Sequence, residues 1–221
     1  EPRRIDLFLE THSGENVRVA YNRRFYPFVD NLLTMVSEVD RGVYVRTSIP
    51  ESSKNGLLHN FMYNSVHVLD LVQFLLGGVD ISSANMEVVG QNEVFCCSMR
   101  AGAEGRSLAR FDVIPDSAMK FCIEIFVGEH RILISPIEKL KIFEGMLIVE
   151  PSSSYPLRSY EPGCLIEELA LCPKNGSIYK PGFYEQAEEF TGFCERGFSE
   201  KLATLSEAAG VLRLAQTCLG V

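Results

Sequence analysis

Six short runs rich in β-branched and aromatic residues follow one another between residues 82 and 149, with turn residues between them. Runs of this length and composition are typical of β-strands. Strands that succeed one another without helices between them form antiparallel sheets. We therefore predict an antiparallel meander made of Ser82 to Val89, Val94 to Arg100, Ser107 to Ile114, Met119 to Gly128, Arg131 to Ile134 and Lys139 to Val149.

Helical patterns flank this predicted sheet on both sides along the chain. The spacing of apolar residues and of turn residues predicts a short helix over Arg3 to His12, a strand over Val17 to Tyr21, a helix from Pro27 to Gly42, a strand over Val43 to Ile49, a strongly apolar helix over His59 to Leu76, and closing helices over Gly182 to Arg196 and Leu205 to Leu219. Thr204 and Glu207 have the spacing of a capping box for the last helix. Residues 150 to 180 are rich in proline and indicate a long irregular connection.

These elements predict an α+β fold, an open, largely antiparallel β-sheet with helices packed on one face. A sheet that is covered on one face leaves its other face free. The positions Phe95, Cys97, Phe121, Ile123 and Ile125 alternate in a way that leaves apolar residues on at least one side. An apolar second face would pair with another subunit, so we expect a homodimer or tetramer that forms through the open sheet face.

Charge and composition exclude several classes of partner. The chain has 21 basic and 29 acidic side chains, a net charge of -8, which argues against binding of nucleic acid. It contains no apolar run of the roughly 20 residues that a membrane span requires. The amino terminus is too charged for a secretion signal, and the seven cysteines are an odd number for a disulfide framework, so we predict a cytoplasmic location.

Signatures of metal and phosphate sites are absent from the sequence. There is no G-x-G-x-x-G loop, no H-E-x-x-H helix and no C-x-x-C pair. Cys96 and Cys97 are neighbours on a predicted strand, where successive side chains point to opposite faces and cannot bind one ion together. No metal site is predicted.

A stripe of polar side chains lies on the predicted apolar helix around residues 61 to 78. Spacings of three and four place Tyr63, Asn64, His67, Asp70 and Phe74 along one side of it. Buried histidine and aspartate side chains require partners. In one interpretation Asp70 pairs with His67 or caps a neighbouring loop. In the other the stripe is the wall of an active site, with His67 as general acid or base and Tyr63 or Asn64 donating to a substrate hydroxyl.

A second polar cluster, Asn22, Arg23 and Arg24, follows the predicted strand that begins near residue 17. Ligands favour such turns at the carboxyl ends of strands. Each arginine could instead be solvated or paired with a nearby acid of this acidic chain. One of the two is a candidate to bind an anionic group of a substrate.

Together these stretches resemble the Gfo/Idh/MocA family, named after glucose-fructose oxidoreductase and inositol dehydrogenase. The sequence VAYNRRFYP, residues 19 to 27, is similar to the family's segment that leaves the dinucleotide-binding domain, and NSVHVLDLVQFLLGG, residues 64 to 78, is similar to its histidine-containing helix. The closing sequences YEQAEEFTGFCERG and TLSEAAGVLRLAQTCL are similar to its carboxyl-terminal helices. The resemblance covers essentially the whole chain.

The resemblance implies a function for this chain within a larger enzyme. In the family a Rossmann domain binds NAD or NADP, and a second domain supplies substrate contacts and the subunit interface. The glycine-rich loop and the Glu-Lys-Pro motif of the first domain are absent here. We therefore expect residues 1–16 to be a remnant of the end of a dinucleotide-binding domain or a linker, and residues 17–221 to be the substrate-binding and oligomerisation domain. NAD or NADP is then the cofactor of the complete protein and is not expected to bind tightly to this chain alone.

The same resemblance assigns roles to individual residues. His67 would relay the proton of the reacting carbinol. Many family members carry an acidic residue four positions before this histidine, where this chain has Tyr63, so Tyr63 becomes a second catalytic candidate. The candidate substrate-binding residues are Asn22, Arg23, Arg24, Asn64 and Asp70. The expected substrate is a sugar, a cyclitol or a sugar nucleotide. The alternative function is a non-catalytic sugar-binding or dimerisation module, which the replacement by Tyr63 favours slightly.

Overall fold

The computed structural model describes residue 11 and residues 16–40, 42–54, 56–89, 94–171 and 179–221. Its centre is a sheet of eight strands in the order β3-β4-β5-β2-β6-β7-β8-β9. The strands are β2 (Tyr44–Ile49), β3 (Val79–Val89), β4 (Val94–Ala101), β5 (Ser107–Val113), β6 (Cys122–Val127), β7 (His130–Ile134), β8 (Lys139–Val149) and β9 (Ser159–Ala170). A separate pair joins β1 (Arg18–Val19) to β10 (Ala203–Thr204).

Helices cover one face of this sheet. They are α1 (Val29–Ser37), α2 (Leu57–Asn60), α3 (Val66–Leu75), α4 (Phe183–Arg196) and α5 (Leu205–Leu219). A π-helical segment, Phe61–Ser65, joins α2 to α3, and a 3₁₀ turn, Asn22–Phe25, follows β1. Side chains of α3 and α5 such as Leu69 and Val211 are fully buried in the same apolar core as Ile123 of β6. The predicted α+β class, with helices on one face of an open and largely antiparallel sheet, is confirmed.

The meander is not continuous, which corrects the prediction from sequence. Strand β2, which precedes the run of strands by some thirty residues, lies between β5 and β6. It pairs parallel with β5, from Tyr44 opposite Leu108 to Ile49 opposite Val113, and antiparallel with β6. The alternation of apolar and polar residues predicts that a strand exists, but it does not determine which strands pair with it. The side chains of Val45, Thr47 and Ile49 are buried, as is expected for a strand in the centre of this sheet.

The irregular connection predicted over residues 150 to 180 is also wrong, because twelve of these residues form β9. This strand pairs with β8 from Ser159 opposite Val149 to Ala170 opposite Lys139. Its proline content misled the prediction, since proline lacks the backbone N–H that a central strand needs. Strand β9 is at the edge of the sheet, where one side of the strand has no partner in the described part of the chain, and Pro162 is tolerated there.

The alternating apolar positions that were expected on at least one side of the sheet lie on the side that the helices cover, so they do not make the second face apolar. Cys97, Ile123 and Ile125 are fully buried, and Phe95 and Phe121 pack against the same core. The opposite face carries ion pairs: Asp112 accepts from Arg46 at 3.0 Å and Arg110 at 2.8 Å, Glu124 accepts from Arg131 at 2.7 Å, and Lys141 lies 3.1 Å from Glu168. Strand alternation identifies two faces and does not show which one the helices cover.

Other elements agree closely with the sequence analysis. Strand β8 and helix α5 have the predicted bounds, and Thr204 and Glu207 form both hydrogen bonds of the capping box. Strand β1 is two residues long, shorter than predicted. The helix predicted over Arg3 to His12 falls outside the described residues, and the proposed boundary near residue 16 remains a prediction. Among the described helices, none is long and apolar enough to cross a bilayer.

Candidate functional site

Several polar side chains meet at the end of the sheet where β2 finishes and where β6 and β8 begin. Arg23 is in the turn that follows β1, Glu51 follows β2, and His67 is on α3. The Arg23 guanidinium lies 5.7 Å from the ring centroid of Phe121, the residue before β6. The charges of Glu51 and of Glu138, the residue before β8, both act on Arg23. The covered sheet and the helices thus bring distant segments of the chain into one site.

The π-helical segment divides the polar stripe that was predicted for one helix face. An extra residue per turn changes the direction of the side chains, and such insertions occur often at functional sites. Tyr63 in this segment is 73% exposed, and its ring centroid lies 4.5 Å from that of His59. Asn64 also lies in it and donates to Glu51. Tyr63 is therefore directed away from the core, where regular helical spacing had placed it beside His67.

His67 is half-buried and neutral at physiological pH. Its ring makes an edge-to-face contact with Tyr21, with centroids 5.4 Å apart. Burial, and then the positive charge of Arg23, lowers the pKa of His67 to about 4. Its Nδ1 atom is buried and has no hydrogen-bond partner among the described residues. A neutral imidazole with an unpartnered nitrogen is able to exchange a proton with a bound hydroxyl group.

Asp70 pairs with Arg24 and not with His67 or a loop, which corrects the pairing suggested by the sequence. Arg24 Nε donates to Oδ2 at 2.9 Å and Nη2 donates to Oδ1 at 2.6 Å, and both side chains are almost completely buried. Burial raises the pKa of Asp70 to about 6, although the hydrogen bonds and charge of Arg24 oppose this. The carboxylate of Asp70 is therefore ionised at neutral pH and neutralises the buried guanidinium of Arg24.

The remaining donors of Arg24 are occupied as well. Nη1 donates to Glu207 Oε1 at 3.1 Å and to the Lys201 carbonyl at 3.4 Å. The ring of Phe74 covers the guanidinium at 4.5 Å. Arg24 thus joins the turn after β1 to α3 and to the start of α5. Because all polar edges of the Arg24 guanidinium are engaged, Arg24 and Asp70 hold elements of the fold together. This disfavours the predicted contact of either residue with a substrate.

Arg23, the neighbour of Arg24, lies in a different environment. Its Nη1 atom is buried without a hydrogen-bond partner among the described residues. Burial lowers the pKa of Arg23, and the interaction with the Tyr26 phenol, followed by the charges of Glu138 and Glu51, opposes this effect. Since an arginine remains charged at all ordinary pH values, the site contains an unneutralised guanidinium edge next to His67.

Asn22 connects the turn after β1 to the segment before α4. It is 9% exposed, and its Nδ2 donates to the Pro181 carbonyl at 3.2 Å. A Cβ atom at Gly182 would lie 2.2 Å from the Asn22 carbonyl oxygen, so the two backbones approach as closely as glycine allows. The amide of Asn22 therefore contributes to the position of Arg23 through the backbone.

Glu51 belongs to the site and was not singled out from the sequence. It is 6% exposed, and its Oε2 accepts from Ser65 Oγ at 2.7 Å and from Asn64 Nδ2 at 3.2 Å. Its Oε1 accepts from the Ser52 N–H at 3.1 Å. A glutamate in a polar loop after a strand carries no distinguishing pattern. Only the fold shows that this carboxylate holds Asn64, one turn before His67.

The predicted site residues thus separate into two groups. His67, Arg23 and Asn64 belong to one site, together with Glu51. Arg24, Asp70 and Asn22 make contacts that hold the surrounding elements, and Tyr63 lies on the surface. Within the described segments, no three His, Cys, Asp or Glu side chains are grouped closely enough to hold a metal ion.

Comparison with solved structures confirms the fold expected from the family resemblance. The chain matches a Gfo/Idh/MocA family oxidoreductase from Vibrio cholerae, with a TM-score of 0.55, 13% identity and 91% of this chain covered. It matches UDP-N-acetylglucosamine 3-dehydrogenase from Acidithiobacillus ferrooxidans, with a TM-score of 0.63, 13% identity and 100% covered. It also matches levoglucosan dehydrogenase in complex with NADH and levoglucosan, with a TM-score of 0.62, 13% identity and 99% covered.

This chain spans only part of those structures, namely 60%, 67% and 68% of their respective lengths. No family model and no curated protein matches the sequence. At these identities the likeness shows a shared fold: the chain has the fold of a substantial part of dehydrogenases of the Gfo/Idh/MocA type.

Proposed function

We propose that this chain is the substrate-binding domain of an NAD(P)-dependent oxidoreductase of the Gfo/Idh/MocA family, acting on a sugar, a cyclitol or a sugar nucleotide. The observation that carries the proposal is the neutral, half-buried His67, whose Nδ1 is unpartnered among the described residues. The solved structures of similar fold support the substrate class, because two of them are named for dehydrogenation of a sugar nucleotide and of levoglucosan.

In this mechanism His67 accepts the hydroxyl proton of the carbinol as the alcohol is oxidised, and returns it in the reverse direction. Its lowered pKa keeps the imidazole unprotonated at neutral pH, so that a nitrogen is free to accept the proton. Asn64, held by Glu51, is placed one helical turn away and can donate to a second substrate hydroxyl. Hydride acceptance is the chemistry that a nicotinamide supplies when bound. The sequence has no glycine-rich phosphate loop, so we assign cofactor binding to another part of the complete protein.

Substitution of His67 in the complete protein tests this role. We expect His67→Gln to lower kcat/KM by about 10²- to 10⁴-fold, the usual contribution of a general base, while the free energy of unfolding changes little. His59→Gln is the matched control, because it makes the same change at an exposed histidine two turns earlier and should keep turnover within about twofold. Unchanged turnover in the His67 variant would contradict the catalytic role.

A second candidate function is a sugar-binding module that does not catalyse a reaction. The observation in its favour is Tyr63, which occupies the family's acidic position and is directed to the surface. No described carboxylate hydrogen-bonds to His67 Nδ1. This alternative predicts that His67→Gln weakens sugar binding while the unchanged protein oxidises no sugar in the presence of NAD or NADP.

We also propose that the chain self-associates through the open side of its sheet. Strands β8 and β9 extend beyond β7 as a two-stranded ribbon, and large apolar side chains of this ribbon are exposed. We call Met146, Leu147, Ile148 and Tyr160 the apolar ribbon. An isolated two-stranded ribbon is marginal in water, which favours its burial against another subunit.

A further inference from the structure

The strongest unassigned feature of the site is the guanidinium of Arg23. Its Nη1 atom is buried without a partner among the described residues, whereas every donor edge of the adjacent Arg24 is engaged. Buried polar groups of folded proteins are nearly always hydrogen-bonded, so each exception requires an explanation, of which a bound water, an ion or a catalytic role are examples. The two neighbouring arginines therefore differ in function: Arg24 is used by the fold, and Arg23 retains a donor for something else.

Carboxylates of the protein do not neutralise Arg23. The ion pairs found among the described residues do not include it, although Glu51 and Glu138 are close enough for their charges to influence it. Both oxygens of Glu51 already accept hydrogen bonds, from Ser52, Asn64 and Ser65. Glu138 is exposed to solvent. Arg23 is half-buried, and a partly desolvated cation without a bound counter-ion is costly, a cost that an anionic ligand reduces.

The orientation of Arg23 suits recognition of a ligand beside His67. The face of its guanidinium lies over the ring of Phe121, at 5.7 Å from the centroid, so its planar edge remains available for hydrogen bonds. Arg23 is also near enough that its charge lowers the pKa of His67. Two unpartnered polar atoms from different elements, Arg23 Nη1 and His67 Nδ1, are thus present in one site.

We propose that the substrate is an acidic sugar, with a carboxylate or phosphate oxygen accepting a hydrogen bond from Arg23 while a neighbouring hydroxyl meets His67. This inference rests on the proposed function and narrows its substrate class. A neutral sugar would place hydroxyl groups against the guanidinium and would leave its charge uncompensated. Charge-assisted hydrogen bonds to carboxylate or phosphate are about twice as strong as neutral ones, so the preference for an acidic sugar should be measurable.

Calorimetric titration with three sugars of similar size tests the inference. Glucose is neutral, glucuronate carries a carboxylate and glucose 1-phosphate carries a phosphate. We expect one of the two acidic sugars to bind the full chain at least about tenfold more tightly than glucose. The stronger of the two identifies the source of the charge. NMR shifts of the His67 ring on titration show whether the sugar occupies this site.

Substitutions then assign the preference to Arg23. Arg23→Gln should remove most of the advantage of the acidic sugar, and Arg23→Lys should restore part of it by returning the charge without the planar edge. Arg46→Gln is the control, because Arg46 is half exposed on the opposite face of the sheet and should leave all three affinities unchanged.

The possible results separate this inference from the function on which it rests. If glucose binds as tightly as both acidic sugars and shifts the His67 ring, the acidic substrate class is wrong and the sugar-binding function stands. An acidic preference that Arg23→Gln leaves intact also overturns the inference. If none of the three sugars binds or shifts the His67 ring up to its solubility limit, the proposed function and the inference both fail.

Discussion

Two adjacent arginines in one turn show how strongly single residues can diverge in role. Arg24 is 1% exposed and is bound by Asp70 and Glu207, so it holds three segments of the chain together. Arg23 has an unpartnered donor and belongs to the candidate site. The sequence alone does not distinguish the two arginines. Consecutive side chains of a short turn point in different directions, and the sequence does not show which direction each one takes.

Replacing Asp70 by asparagine tests the structural role of the buried ion pair. Asp70→Asn leaves Arg24 buried without its principal counter-charge, and we expect the free energy of unfolding to fall by about 3–5 kcal/mol. The matched control is Asp30→Asn, which removes a largely exposed partner of Lys201 and should cost about 0–1 kcal/mol. Urea denaturation of both variants checks the difference, and equal losses would contradict a structural role for the pair.

The pKa of His67 gives a second prediction for a single residue. We expect its ring to titrate at about 4 in the folded protein, as monitored by NMR. Arg23→Gln removes the positive charge that contributes to this lowering, so the pKa of His67 should rise toward its ordinary value. Loss of the guanidinium does not remove the effect of burial, which is the larger cause, and the rise should therefore be partial. An unchanged pKa would show that Arg23 does not act on His67.

The same pKa predicts a dependence of stability on pH. The unfolded chain protonates His67 near pH 6.5, whereas the folded chain does so near pH 4. Between these values the unfolded state binds more protons, so the contribution of neutral His67 is present above about pH 6.5 and is lost as pH falls toward 4. Because His67→Gln changes stability little at neutral pH, the parent should become less stable than His67→Gln as pH falls through this window, and a constant difference between the two free energies of unfolding would contradict the assignment.

At the scale of elements, the start of helix α5 is determined by a few residues that are close together in the sequence. Thr204 accepts from the Glu207 N–H, and Glu207 accepts from the Thr204 N–H at 2.7 Å. Thr204→Ala removes half of this capping box and should cost about 1 kcal/mol of stability. Thr191→Ala is the control, since Thr191 lies inside α4 with an exposed side chain and should change stability by no more than about 0.5 kcal/mol. Thermal denaturation of the two variants provides the comparison.

Helices and strands were predictable where residues close in sequence determine them. They were not predictable where pairing with distant residues determines them. The bounds of β8 and α5 followed from alternation and capping. The insertion of β2 between β5 and β6 depends on contacts with residues more than sixty positions away. Strand β9 was missed because an edge position tolerates proline, and edge positions are known only once the sheet order is known.

The candidate site was predicted in part, for the same physical reason. His67, Asn64 and Arg23 were identified because polar groups in apolar surroundings require an explanation. The surface position of Tyr63 depends on the π-helical segment, which changes side-chain directions without any sequence signature. Glu51 was missed, because its partners Asn64 and Ser65 are more than ten residues away on another element.

For the whole molecule, the apolar ribbon predicts the state of association. Ile148 is 47% exposed, and if the proposed dimer or tetramer forms, we expect Ile148→Asp to shift it toward monomer in sedimentation equilibrium, because the substitution places a charge in the proposed contact. Phe198→Asp is the control: Phe198 is 62% exposed in the loop after α4 and should leave association unchanged. A parent chain that is monomeric at high concentration would contradict the proposed interface.

The bond between Arg24 and Glu207 joins residues 183 positions apart. Strand β1 likewise finds its partner only in β10. A ribosome releases the chain from its amino terminus, so Arg23 and Arg24 emerge long before the helix that completes their surroundings. The turn that carries them has to wait until a residue 183 positions further along the chain has been made, and non-local closure of this kind is slow. The surroundings of Arg24 are therefore complete only after residue 207 has been synthesised, and nascent chains that stall earlier would present its guanidinium without its final partner.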